Sequence, residues 1–71
     1  MNTRILRIHV VESAPRATFI LMDDIMAIRP LEYEGAEGEE RWGARVCCQA
    51  RYYDCVDSAA VLGAKWERGR K

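Results

Sequence analysis

Between Arg4 and Val11 the order Arg-Ile-Leu-Arg-Ile-His-Val-Val sets Leu6, Ile8 and Val10 on one side of an extended chain and Ile5, Arg7, His9 and Val11 on the other. This period-two alternation constrains the fold more than any other feature. A helix would scatter these apolar residues around its circumference, whereas a strand gathers them on one face. Ala17 to Met22 is a second extended run rich in β-formers, and Glu12 to Arg16 between the two is turn material broken by Pro15. The pair predicts a hairpin.

Asp23-Asp24 interrupts the second run, and both residues favour side-chain-to-backbone bonds that start a tight turn or a single helical turn. Ile25 to Glu34 then reads as a third strand. Pro30 within it lacks the donor that a central ladder demands, which predicts an edge strand or a bulge. Residues 35–40, Gly-Ala-Glu-Gly-Glu-Glu, form a polar stretch punctuated by glycine and predict a mobile acidic hairpin loop. Trp42 begins a fourth strand with Val46 and Cys48 on one face, and Gln49-Ala50-Arg51 returns the chain into a fifth, Tyr52 to Val56.

Asp57 and Ser58 can each accept from the free amides of a first helical turn. Ala59, Leu62 and Trp66 follow at spacings of three and four, an apolar stripe that can lie on a sheet. Gly63 inside the helix predicts a close approach of its backbone to the sheet. Residues 69–71 read as a frayed basic tail. The fold class expected is α+β: one domain over residues 1–71, a small antiparallel sheet of four to five strands with one C-terminal helix packed on it.

At 71 residues the chain buries a thin core, which a metal, a bridge, a partner surface or self-association can supplement. With 49% apolar and 31% charged residues the balance is that of a folded domain rather than a disordered segment. The longest apolar runs, Ile8 to Val11 and Phe19 to Met22, are too short to cross a bilayer as a helix. Arg4, Arg7 and His9 interrupt what a signal peptide would need as its hydrophobic stretch, which predicts a cytoplasmic protein.

Cys47, Cys48 and Cys55 are odd in number, which argues against a secreted disulfide framework. Their spacing, with His9 as the lone histidine, lacks the ligand pairs of structural zinc motifs. They read as small apolar residues filling a sheet face, with a redox or metal role as the alternative, and no cofactor is expected. His9 has no nucleophile assigned to it by any motif, Asp23-Asp24 is explained by a turn, and Gly35, Gly38 and Gly43 fall among glutamates that would repel a phosphate. These features predict a non-catalytic protein.

Eleven basic and eleven acidic side chains cancel, but they are segregated along the chain. Residues 1–16 carry a surplus of two positive charges, residues 23–40 six negative, and residues 41–71 four positive. Opposed lobes of this kind steer a charged partner or a second copy of the chain. The expected contact surface is aromatic: Trp42, Tyr52, Tyr53 and Trp66, with Glu37, Glu39 and Glu40 steering a basic partner. The alternative is single-stranded nucleic acid, with Arg41, Arg45 and Arg51 contacting phosphate while Trp42, Tyr52 and Tyr53 stack on bases. A homodimer through the Pro30 edge or the Trp66 helix face is a further expectation.

The stretch Ile20 to Pro30, followed by Gly43-Ala-Arg-Val46 and Tyr53-Asp-Cys-Val-Asp-Ser58 leading into a helix, resembles FlbD-like proteins and small phage-encoded accessory proteins. The shared pattern is an apolar strand, an acidic turn, an Ile-x-x-Ile strand ending near proline, a hairpin and an acid-Ser helix start. The long acidic loop, the cysteines and the absence of an Asn/Asp-Gly turn before the last strand depart from it. The resemblance implies a compact accessory protein of phage or mobile-element type that binds a host protein complex and inhibits or modulates it, as anti-CRISPR proteins do. It carries over no catalytic residue.

Overall fold

The computed structural model describes residues 4–11 and 16–70; the turn expected around Pro15 and the final residue of the basic tail lie outside the described residues. Strand β1 (Ile5–Val10) pairs antiparallel with β2 (Arg16–Leu21), in register from Ile5 opposite Leu21 to Val10 opposite Arg16. A 3-10 turn over Met22–Asp24 follows, the second of the two forms, tight turn or single helical turn, expected at Asp23-Asp24. Strands β3 (Ile25–Glu34), β4 (Glu40–Cys48) and β5 (Tyr52–Cys55) form an antiparallel meander, and helix α1 (Ala59–Arg70) ends the fold. The fold class read from the alternation is the one observed: a five-stranded antiparallel sheet, order β2-β1-β5-β4-β3, with one C-terminal helix.

The alternation in β1 decides which face closes. Leu6 and Ile8 are buried while Ile5 and Arg7 are exposed. Directly opposed residues in an antiparallel pair share a face, so the inner face carries Leu6, Ile8, Ile20, Val46, Ala44 and Cys55. Leu62 enters this layer from α1 and is fully buried, with Ala59 and Trp66 packed beside it. Cys48 and Cys55 are core residues, and Cys47 turns to the outer face, the division that adjacent positions on a strand require.

The sheet cannot be flat. Five strands side by side at about 4.8 Å set the two edges about 19 Å apart. The chain passes from edge β2 to edge β3 through the 3-10 turn alone, and the step from Leu21 to Ile25 spans at most about 14 Å. The sheet therefore curls until its edges approach at that end, and α1 packs on the inner face that carries the core.

Pro30 lies in an edge strand, opposite Ala44, where its missing donor costs no central ladder bond; the register irregularity falls instead between Ile25 and Ala27. Gly43 is required by a close approach, since a Cβ there would collide with the Cys55 carbonyl oxygen. Gly63 is not: a Cβ there meets no atom within 4 Å, so the expected contact of helix backbone with sheet is replaced by open space. Large side chains on either side of it, Leu62 and Trp66, carry the packing and hold the helix backbone clear.

Helix initiation falls to Ser58, whose carbonyl accepts from Leu62 N–H at 2.9 Å and whose hydroxyl faces Val61 N–H at 3.5 Å. Asp57 serves another purpose. Its carboxylate accepts from His9 N–H at 2.6 Å and lies 3.0 Å from His9 Nδ1, tying β1 to the segment that leads into the helix.

Candidate functional site

Strand β5 covers β4 only from Ala44 to Cys47. Beyond that ladder, β3 and β4 continue as a two-stranded ribbon from Leu31 opposite Gly43 to Glu34 opposite Glu40. The connection is a hydrogen-bonded turn: Gly35 N–H donates to Glu39 O at 2.8 Å and Gly38 N–H to Gly35 O at 3.0 Å, with Gly38 at φ 82°. Only glycine adopts that conformation without strain.

Side chains sort by face along the ribbon. Glu32 stands directly opposite Trp42 and Glu34 opposite Glu40, so one face carries a tryptophan among three carboxylates. Trp42 is 64% exposed, one of the largest apolar surfaces the fold leaves in water. The other face carries Tyr33 opposite Arg41 and Leu31 opposite Gly43. A shallow hollow of about 360 Å³ lined by Glu32, Tyr33, Glu34, Gly38 and Glu40 runs along the acidic side.

Glu39 differs from its neighbours. It accepts Arg41 Nε at 2.9 Å and Glu37 N–H at 3.1 Å. Its own backbone N–H foremost, then Arg41, holds its pKa below the ordinary carboxylate value. Glu39 is therefore engaged within the turn, and Glu40 is the member of the expected trio that shares a face with Trp42. Glu37 is exposed in the turn. Glu32 and Glu34 join the site only through strand pairing, a signal visible in the sequence once residues 34 and 40 are taken as the ends of a hairpin.

The four aromatic candidates do not form one surface. Tyr53 and Trp66 are half-buried and pack against the core, while Tyr52 is 59% exposed on the outer face, opposite in direction to Trp42. Arg45 lies 4.4 Å over the Tyr52 ring and grips Asp54 with two bonds, Nε to Oδ1 at 2.8 Å and a terminal nitrogen to Oδ2 at 3.2 Å. The bond to Asp54 raises the Arg45 pKa further above its ordinary value. Arg51 is exposed in the link before β5. The set proposed for nucleic acid is thus divided, with Arg41, Arg45 and Tyr52 facing outward and Trp42 and Tyr53 facing inward.

No group of three or more histidine, cysteine or acidic side chains is placed to hold a metal ion among the described residues. Burial foremost, then Asp57 and Asp54, pushes the Cys55 thiol up to about 12, so it is a core group and a poor nucleophile. No helix among the described residues is long and apolar enough to cross a membrane. No family model, no curated protein and no solved structure matches the chain.

Proposed function

We propose that the protein is a non-catalytic interaction module whose acidic ribbon receives a basic segment of a partner protein. The observation that carries the reading is Trp42, 64% exposed and flanked on its own face by Glu32, Glu34 and Glu40. A large indole left in water is costly, and covering it recovers about 3 kcal/mol at about 25 cal/mol per Å². An arginine or lysine stacked on the ring adds about 0.5–2 kcal/mol, and the carboxylates select for that charge and speed encounter. The likeness to phage-encoded accessory proteins extends the proposal to a host protein complex that the module inhibits or modulates.

The test uses Trp66→Phe, which leaves Trp42 as the fluorescent reporter. An arginine-rich peptide is expected to shift Trp42 emission with an affinity that falls as salt rises. Reversing Glu32, Glu34 and Glu40 to lysine is expected to abolish the response. An unchanged affinity in the reversed variant rejects the reading.

A second reading has its own observation: Arg29 stands directly opposite Arg45 on the outer face, next to exposed Tyr52. Like charges directly opposed in a ladder are unfavourable and are relieved by an anion, which is the arrangement a single strand of nucleic acid would use. The neutralisation of Arg45 by Asp54 and of Arg41 by Glu39 weakens it. An oligonucleotide titrated in parallel separates the readings, since its binding depends on Arg29 and Arg45 and not on the glutamates.

A further inference from the structure

The sheet has two edges, and they are defended unequally. Edge β3 carries Pro30, the charges Arg29, Glu32 and Glu34, and a register irregularity at its start, the devices by which natural sheets prevent another strand from adding. Edge β2 carries none of these from residue 17 to residue 21: Ala-Thr-Phe-Ile-Leu is uncharged and free of proline. Its pairing with β1 is regular over its whole length. On the outer face of the same edge Phe19 is 66% exposed, Leu21 53%, and Ile5, directly opposite Leu21, 55%.

From this asymmetry we infer that β2 is the dimerisation edge and that it pairs antiparallel with β2 of a second copy about a two-fold axis, making one sheet continuous across both molecules. The inference is independent of the ribbon reading, because Trp42 and its glutamates lie in β3 and β4 and stay accessible in such a dimer. The occupant is argued from charge and from area. Apart from Arg16 at its start, β2 carries no charge and asks for no complementary charge in its partner, and the chain as a whole has formal charge zero, so two copies meet without net repulsion. Centring the pair on Phe19 sets Phe19 opposite its own copy and Ala17 opposite Leu21, so every uncharged residue of the edge finds an uncharged partner. Pairing of β2 with the edge β3 of another copy would leave edges open at both ends and propagate. The guards on β3 oppose it.

Area sets the strength. With about 200 Å² for the phenylalanine side chain and roughly 100 Å² for each aliphatic one, two copies bring together about 500 Å² of apolar surface. Backbone pairing over five residues adds to this, and the total stays below the roughly 1,200–2,000 Å² of stable interfaces. The dimer is therefore weak, with a dissociation constant in the micromolar range or above.

Sedimentation equilibrium over a concentration series tests the inference. The wild-type chain is expected to show a reversible monomer–dimer equilibrium, weakened at least about tenfold in both Phe19→Lys and Phe19→Glu, with circular dichroism unchanged. Because residue 19 faces its own copy, an equimolar mixture of the two variants is expected to recover dimer. Arg7, opposite Phe19 within each copy, is common to all samples. A wild-type chain that stays monomeric to millimolar concentration overturns the inference. So does a dimer indifferent to Phe19→Lys, or a mixture that recovers nothing.

Discussion

Gly63 offers the most direct check on how α1 meets the sheet. It lies mid-helix and borders a hollow of about 410 Å³ lined by Ile28, Ala59, Ala60, Ala64, Trp66 and Glu67. A Cβ built there meets no atom within 4 Å. Gly63→Ala therefore adds a methyl group without a collision, and the helix-propensity gain of about 0.8–1.0 kcal/mol should appear undiminished. Part of that gain comes from restricting the unfolded chain, which loses fewer states on folding. Against a net stability of about 3–5 kcal/mol for a domain of this size the change is large. Urea unfolding followed by circular dichroism should move to a higher midpoint by about 0.5–1 M with an unchanged slope, and the thermal midpoint should rise by about 4–8 °C. A midpoint that stays put or falls would mean that the helix backbone is in contact with something at Gly63, and the packing of α1 described above would be wrong.

The same substitution at Gly43 should have the opposite sign, because the added carbon meets the Cys55 carbonyl oxygen; a loss of about 1–3 kcal/mol is expected by urea titration. Leu62→Ala removes the fully buried side chain that α1 sends into the core and should cost about 2.7–5 kcal/mol, enough to leave little cooperative melting at 25 °C. A third expectation concerns alkaline pH. Burial raises the Cys55 thiol from an ordinary 9.0 to about 12, so the folded chain keeps a proton that the unfolded chain releases. Its contribution is fully present below about pH 9 and is lost as the pH climbs towards about 12, so urea midpoints should fall across that window and fall less in Cys55→Ala. In thiol labelling at neutral pH, half-buried Cys47 should react first, with Cys48 and Cys55 protected until unfolding; equal rates at the three would contradict the assigned faces.

Strand positions were legible because each rests on short-range alternation: Leu6 and Ile8 inward, Val46 and Cys48 inward, Ala59, Leu62 and Trp66 on one stripe. What lay beyond reach depends on contacts between distant segments. Asp57 and Ser58 are equivalent as caps by residue type, and only the arrival of β1 beside β5 gives Asp57 to His9 and leaves Ser58 at the helix start. Gly63 could signal contact or its absence, and the choice is made by the volumes of Leu62 and Trp66 next to it. The site was half visible. Trp42 and Glu40 were named from composition, but Glu32 and Glu34 join them through a cross-strand register, and Tyr53 and Trp66 leave them because the core claims both.

Among the described residues the joint between β1 and β5 is narrow: a single paired position, Val10 with Cys55, flanked by Val11 N–H to Asp54 O and Val56 N–H to His9 O, each 2.8 Å, and clasped by Asp57 on His9. It is also a long-range joint, with His9 and Asp57 separated by 48 positions. Its closure therefore bears a loop entropy that neither the β1–β2 hairpin nor the β3–β4–β5 meander bears on its own. The hairpin and the meander can each form from local contacts and meet last. In the folded state the same joint can part while both ladders survive, so the amides of Val11 and Val56 should exchange with solvent at a free energy below that of global unfolding.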